Sequence, residues 1–381
     1  MESFGYYNPT RIEFGRGKEQ SIGKLIADEG IGRVLLVYGT GSIKRSGLYE
    51  TITASLREAG ITFEELDGVV SNPLLSRVRD GIGLVRSHDL QAVLGVGGGS
   101  VVDTAKAIAA GVPYGADVWD FFIQKAPITQ ALPVFTVMTL AAAASEMNGN
   151  SVITNDETAQ KYSISSVLLN PRISVINPEL MMSVGQDYLA YSAADIIAHS
   201  IETYFTASVH PAFQSRLVES IVKTVIETTE KLIKDPRDYD ARAEFAWVSI
   251  QALNGLTTSG TGGGNFPNHM IEHALSALFN IPHGAGLSIV IPAWMKWYKG
   301  QKPAQFERFA KEVFGVQSAD EGIAALEAWF GSIGTPVRLS QASIPRERIP
   351  EIAENAHALA ILWGMGEEYD AQTIARILSH A

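Results

Sequence analysis

The sequence predicts an α/β half built on a parallel sheet, followed by an all-α half. Three observations predict it: short β-rich runs alternate with helical ones in the first half, the strand signal stops near residue 187, and long amphipathic stretches fill the rest. In order, the β-rich runs are RVLLVY (33–38), ITFEEL (61–66), QAVLGVGG (91–98), ALPVFTVMT (131–139) and RISVINPEL (172–180). Such runs separated by helical patterns read as a sheet covered by helices. Ahead of them, TRIEFGRG reads as an edge strand or hairpin that pairs with another subunit, which points to a homodimer. Beyond residue 187, AFQSRLVESIVKTVIETTEKLI and ARAEFAWVSIQALNGL repeat apolar residues every three to four positions, the period of one helix face. Pro178, Gly185 and Gln186 interrupt the pattern, so the expected domains are 1–185 and 186–381, packed around a cleft.

Composition excludes several classes of function. A chain of 381 residues exceeds one ordinary core, and 46% hydrophobic with 19% charged residues describes a compact protein. The net charge of −11, with no long basic run, argues against nucleic acid and anionic membranes. The opening MESFGYYNPTRIEFGRG lacks a signal-peptide pattern and no stretch is long and apolar enough to span a bilayer, so a cytoplasmic location is expected. The absence of cysteine excludes disulfides, thiol nucleophiles and Cys-liganded metals.

The chemistry gathers in the second half. Asp195 and His199 lie four apart in ADIIAHSIETYF, and His269, His273 and His283 follow in NHMIEHALSALFNIPHG. Positions i and i+4 share a helix face, so each pair can aim its donors at one point. Pro282 is expected to end the second helix and Gly284 to free the backbone, so that His283 turns back from a loop or a new helix start. The flanks of Asp195 and His199 are Ala and Ile, and a buried unpaired charge there is costly unless a cation compensates it. Imidazoles with one carboxylate suit a divalent transition metal, with His273 the least secure donor.

Two glycine-rich loops in the first half suit phosphate. In QAVLGVGGGSVVDTAKAIAA a strand runs into Gly97, Gly98, Gly99 and Ser100, then a helix with Asp103 in its first turn. Glycines permit close backbone approach to a pyrophosphate, and the helix start offers free amides and a favourable dipole. In YGTGSIKRSG the strand end carries Gly39, Thr40, Gly41 and Ser42, with Lys44 and Arg45 close by. NAD-selective doubly wound enzymes often place an acid at a strand end for the ribose hydroxyls. Small hydroxyl residues and a cation suit a 2′-phosphate instead, which favours NADP(H) over NAD(H).

With these signals together, the chain resembles the iron-containing (group III) alcohol dehydrogenase family, and is most similar to its NADP(H)-linked butanol dehydrogenase and aldehyde reductase branch. NPTRIEFGRG, YGTGSIKRSG, GVGGGSVVDTAKAIA, TLAAAASEMN, INPEL, YSAADIIAHSIETYF and HMIEHALSALFNIPHGAGL carry the resemblance over nearly the whole chain. It implies a dehydroquinate synthase-like fold, a dinucleotide-binding α/β domain followed by a helical metal-binding domain. It implies that Asp195, His199, His269 and His283 hold one divalent metal, Fe(II) first and Zn(II) as the alternative. His273 is implied beside the nicotinamide as the catalytic residue, a proton relay and not a ligand. Implied cofactor contacts are Gly39, Thr40, Gly41, Ser42, Asn72, Gly98, Gly99, Ser100, Asp103, Thr139, Leu140, Asn148, Lys161 and Leu180, with Asn150 near the substrate. NAD-preferring members place an aspartate where Gly39 stands here. Relatives usually read ATGSE where this chain has Ala143, Ala144, Ser145 and Glu146, so a hydroxyl near the pyrophosphate is missing. The expected reaction is reversible hydride transfer between NADP(H) and a primary alcohol or its aldehyde. The alternatives are a polyol dehydrogenase or non-redox lyase on the same fold, or a weakened metal- or nucleotide-binding protein. No Lys or Arg cluster flanks the metal motifs, which disfavours phosphorylated or acidic substrates.

Overall fold

The computed structural model describes all residues from Met1 to Ala381. The chain divides into two compact units, Tyr7–Ser183 and Val184–Ala381, the latter joined by Met1–Tyr6. The sequence reading assigned residues 1–185 to one domain, but the first six pack with the helical unit. There the Glu2 amide donates to the Gly260 carbonyl at 2.9 Å, and the side chains of Met1 and Phe4 lie over Gly260, where a Cβ would clash.

The unit Tyr7–Ser183 contains eight strands: β1 (Arg11–Phe14), β2 (Arg33–Gly39), β3 (Thr62–Val69), β4 (Ala92–Gly97), β5 (Val134–Met138), β6 (Asn150–Asn155), β7 (Gln160–Ser165) and β8 (Ile173–Ile176). Six form one parallel sheet in the order β1-β8-β5-β4-β2-β3. β4, β5 and β8 are buried throughout, as their near-continuous apolar sequences require of strands covered on both faces. β3 closes one edge and carries Glu64, Glu65 and Asp67, charges that discourage further strand pairing. β1 closes the other edge and pairs in parallel with β8 of its own chain, with Arg11 opposite Ile173.

From β2 the chain proceeds outward to β3, then returns beside β2 as β4 and runs the other way to β5 and β8. In open parallel sheets a crevice forms at such a reversal, outside the carboxyl ends of the two diverging strands. Both glycine loops, after β2 and after β4, stand at that place. The sequence reading missed β6 and β7, which form a separate antiparallel hairpin around DETA. Their polar, alternating sequences NSVITN and QKYSIS lack the apolar runs that marked the other strands.

In the unit of Met1–Tyr6 and Val184–Ala381 every element is helical. The longest helices are Gln186–Thr206, Ala212–Lys234 and His283–Tyr298. Asp238 caps the Tyr239–Ala252 helix through the Ala241 amide, and Ser318 with Glu321 forms a capping box on Ala319–Ser332. The Gln186–Thr206 helix is buried from Ser192 to Phe205, so its polar members Asp195, His199 and Glu202 are enclosed by apolar neighbours. The helix Pro267–Phe279 ends before Pro282: Asn280 adopts a left-handed conformation at φ 51°, and its amide bonds to the Ser276 carbonyl. Pro282 instead starts the next helix, and His283 is its first residue.

Candidate metal centre and nucleotide loops

Asp195 and His199 project from one face of the Gln186–Thr206 helix, His269 comes from the Pro267–Phe279 helix, and His283 opens the following one. Asp195 Oδ1 is the focus: His199 Nδ1 lies 3.3 Å from it, His269 Nε2 3.6 Å and His283 Nε2 3.7 Å. Donors on a coordination shell of about 2.0–2.2 Å radius stand roughly 3–3.5 Å apart, so the spacing fits one metal ion. Asp195 Oδ1, His199 Nδ1 and His269 Nε2 are buried and have no hydrogen-bond partner. Buried polar atoms are rarely left so, and three converging on one point is what a cation would satisfy. His199 and His269 stack at 4.4 Å between ring centres, which brings their two rings side by side next to Asp195.

The electrostatics agree. Burial opposes charge on Asp195, yet the surrounding imidazoles of His199, His283 and His269 hold its carboxyl below the usual range. Burial drives His199 down, to about 3. Against its own burial, His269 is pushed up to about 10 by the carboxylates of Glu202 and Asp195. A negative focus surrounded by nitrogen donors is the electrostatic complement of a divalent cation.

Two carboxylates that sequence reasoning missed complete the centre. Glu202 is fully buried; its Oε2 is paired with His269 Nδ1, and its Oε1 accepts from the amides of Asn268 at 2.5 Å and His269 at 3.1 Å. Glu272, also fully buried, is paired with His283 Nδ1 and accepts from the Ser276 hydroxyl. A carboxylate on the far nitrogen fixes the ring and its tautomer so that Nε2 faces the metal. The available signal was spacing: Glu202 follows His199 by three, and Glu272 follows His269 by three, within otherwise apolar helices. His273 stands apart from the Asp195 focus and groups with Glu272 and His283. Its ring lies 5.7 Å from that of His283 and meets Trp363 edge-on at 5.6 Å. Trp119 stacks on Phe122 and Tyr162 in the core, while Phe266 stands edge-on to His269 at 5.8 Å.

The α/β unit gathers the other candidates around its glycine loops. Gly39 ends β2, Thr40 follows, Gly41 takes φ 109°, and Ser42 opens a single helical turn to Arg45. Gly98 precedes the Gly99–Gly111 helix, whose first turn holds Ser100; a Cβ on Gly98 would press on Leu140 at 3.1 Å. The Thr139 amide donates to the Gly97 carbonyl at 3.0 Å, which keeps the β5 exit beside the β4 exit. Asp103 faces inward, with its oxygens accepting from the Ser145 hydroxyl at 2.6 Å and the Val152 amide at 3.0 Å. Lys106, which sequence reasoning passed over, is fully buried and binds Ser145 Oγ, Asn148 and the Asn150 carbonyl at 2.8–3.2 Å. Burial lowers its ammonium to about 8, against the attraction of Asp103 and Glu146. Asn148 closes the loop through the Asn150 amide and the Ala143 carbonyl. Lys161, on β7, is buried, and its ammonium donates to Asn72 Oδ1 at 3.0 Å, so it is no surface lysine. Leu180 packs against the core from the turn Pro178–Met181.

Two family models divide the chain between them: iron-containing alcohol dehydrogenase over residues 9–178, and the C-terminal region of the Fe-containing alcohol dehydrogenase family over 189–381. The chain belongs to the iron-containing alcohol dehydrogenase family. Among its relatives, a probable NADH-dependent butanol dehydrogenase of Bacillus subtilis is 42% identical over 94% of both chains. An NADPH-dependent aldehyde reductase of Escherichia coli is 32% identical over 97% of this chain and 96% of its own. The crystal structure of NADH-dependent butanol dehydrogenase A from Thermotoga maritima superposes with a TM-score of 0.98 at 44% identity, covering 100% of this chain and 99% of that one. Members of this iron-containing family with such different cofactor names share the fold described above.

Proposed function

We propose that the chain transfers hydride reversibly between NADP(H) and a primary alcohol or its aldehyde, using one divalent metal held by Asp195, His199, His269 and His283. Family membership and the metal-competent cluster support a metal-associated oxidoreductase that works with NAD(P)(H) on alcohols or aldehydes. The single observation that carries the reading is the convergence of buried, unpartnered donor atoms on Asp195 Oδ1.

The metal, when bound, supplies Lewis acidity that stabilises negative charge developing on the substrate oxygen. Glu202 and Glu272 hold the imidazoles of His269 and His283 in register for it. His273, enclosed beside His283, is proposed to relay the alcohol proton, because an imidazole exchanges protons near neutral pH. The proposed cofactor contacts are those of the two glycine loops with Asn72, Thr139, Leu140, Asn148, Lys161 and Leu180; Asn150 is proposed near the substrate. Fe(II) is the first candidate metal and Zn(II) the second, since nitrogen and carboxylate donors accept both.

Cofactor choice has support on both sides. The loop 39–42 carries no carboxylate and Lys44 follows it, which supports NADP(H); the butanol dehydrogenases among the relatives bear NADH in their names. A homodimer through the open edge of β1 is proposed with it, and no helix is long and apolar enough to cross a membrane. The test is butanal-dependent oxidation of NADPH and NADH by protein stripped of metal and reloaded anaerobically with Fe(II) or Zn(II). Metal-restored turnover that favours NADPH is expected; no turnover with any combination would reject the reading in favour of a binding protein or a lyase.

A further inference from the structure

At the end of β2 four side chains form a closed group. The hydroxyls of Tyr38 and Tyr49 donate to the two carboxylate oxygens of Glu65, each at 2.6 Å. The two rings meet edge-on at 5.9 Å. The Lys44 ammonium lies over both, 5.0 Å from the Tyr38 ring centre and 4.8 Å from that of Tyr49. Tyr38 ends the buried part of β2, Lys44 sits in the turn Ser42–Arg45, Tyr49 lies in the first turn of the Leu48–Glu58 helix, and Glu65 comes from β3. Three separate elements therefore fix one lysine beside the loop 39–42.

We propose that Glu65 sets the choice between NADP(H) and NAD(H), by positioning Lys44 beside the loop 39–42 and offsetting part of its charge. The inference rests on the reading that this loop receives the adenosine ribose. A free lysine loses side-chain entropy when it grips a phosphate, and the aromatic pair removes part of that cost by holding the ammonium in place. Glu65 acts in the opposite sense. Although burial disfavours its charge, the two tyrosine hydroxyls and Lys44 keep it ionised, below the usual carboxylate range. The carboxylate holds the two rings over which the ammonium lies, and its charge competes with a 2′-phosphate for that ammonium, whereas a ribose diol is indifferent to the competition. Arg45, whose guanidinium lies near Gly41, is outside the group and does not depend on Glu65. Glu65 thus gives the chain an acidic brake on phosphate that comes from β3, where an inspection of the β2 loop alone does not find it.

The test is the ratio of dissociation constants for NADP+ and NAD+, read by quenching of intrinsic fluorescence on the full chain, so that it does not require turnover. Glu65→Gln removes the charge at constant size and is expected to shift the ratio toward NADP+ by about three- to fivefold, the scale of one exposed charge pair. Lys44→Met, at an exposed position, is expected to shift it toward NAD+, and adding Glu65→Gln to Lys44→Met should then leave the ratio unmoved. An unchanged ratio in Glu65→Gln overturns the proposal, as does an equal shift in the Lys44→Met background. If Glu65→Gln does not fold, an unchanged ratio in Lys44→Met alone overturns it. Turnover without these shifts removes this inference and leaves the proposed reaction standing; binding of neither dinucleotide at millimolar concentration removes both.

Discussion

Ala144 carries a left-handed backbone, φ 50° and ψ 22°, with its side chain fully buried. An L-residue in that region costs ~1–2 kcal/mol, and glycine avoids the cost. Ala144→Gly is therefore expected to stabilise the α/β unit by about 1 kcal/mol after glycine's extra chain entropy, seen as a higher melting temperature. Next to it, Glu146 is 1% exposed and neither carboxylate oxygen has a partner. Burial pushes its carboxyl up to about 7 from 4.5. The folded state then binds the proton more tightly than the unfolded one, so the contribution is full below pH 4.5 and is lost as pH rises toward 7. Glu146→Gln should match the parent near pH 4.5 and exceed it by up to ~3 kcal/mol at pH 8, in denaturant titrations at the two pH values. An unchanged difference would show that an unseen partner satisfies the carboxylate. At this scale the cluster was legible in part: Asp195 and His199 announce themselves by spacing, whereas His273, four residues after His269, stands apart from Asp195. The contact between Asn72 and Lys161 was not: they meet across 89 residues, and a lysine buried by a distant hairpin looks like any other in sequence.

The helix Pro267–Phe279 depends on its neighbour for its start. Glu202 Oε1 accepts from the first amides, Asn268 and His269, while Oε2 holds the His269 ring. One carboxylate therefore serves as a helix cap and as the orienting group of a proposed metal ligand. Glu202→Gln is expected to weaken metal affinity about 10–100-fold, as loss of such an outer partner does. Glu272→Gln should do the same through His283, whose ring it holds as Glu202 holds that of His269. Metal content after dialysis against graded chelator measures both; retention equal to the parent would contradict the role. His269→Ala or His283→Ala, which delete a donor outright, should leave less than one metal per chain at any chelator level. The parallel strands were legible from their apolar runs, since strands covered on both faces have no alternation to hide. The β6–β7 hairpin was not, because its polar residues, though mostly buried, leave no apolar run to read. The helix end at Asn280 was misplaced to Pro282, since a left-handed asparagine leaves a weaker mark than a proline that in fact begins the next helix.

The proposed metal ligands come from three helices of the unit that holds Val184–Ala381. Ligand binding to the folded state alone stabilises by the mass-action term, about 4 kcal/mol at a thousandfold excess over the dissociation constant. Chelation should therefore lower the melting transition of the helical unit, and a dinucleotide should raise that of the α/β unit. Calorimetry with and without chelator checks this, and a single transition moving as one would count against separate units. The α/β and all-α halves could be read from the sequence because the hydrophobic period changes between them. The attachment of Met1–Tyr6 to the later unit could not, because a few residues carry no period at all. The path of the chain has a further consequence. It enters the α/β unit at residue 7 and leaves it after 183, so that unit is an insertion within the helical one, and both ends of the chain belong to the same body. Fluorophores placed near Glu2 and His380 would then form a molecular ruler that stays constant while the inserted unit melts and lengthens only when its metal-holding host comes apart.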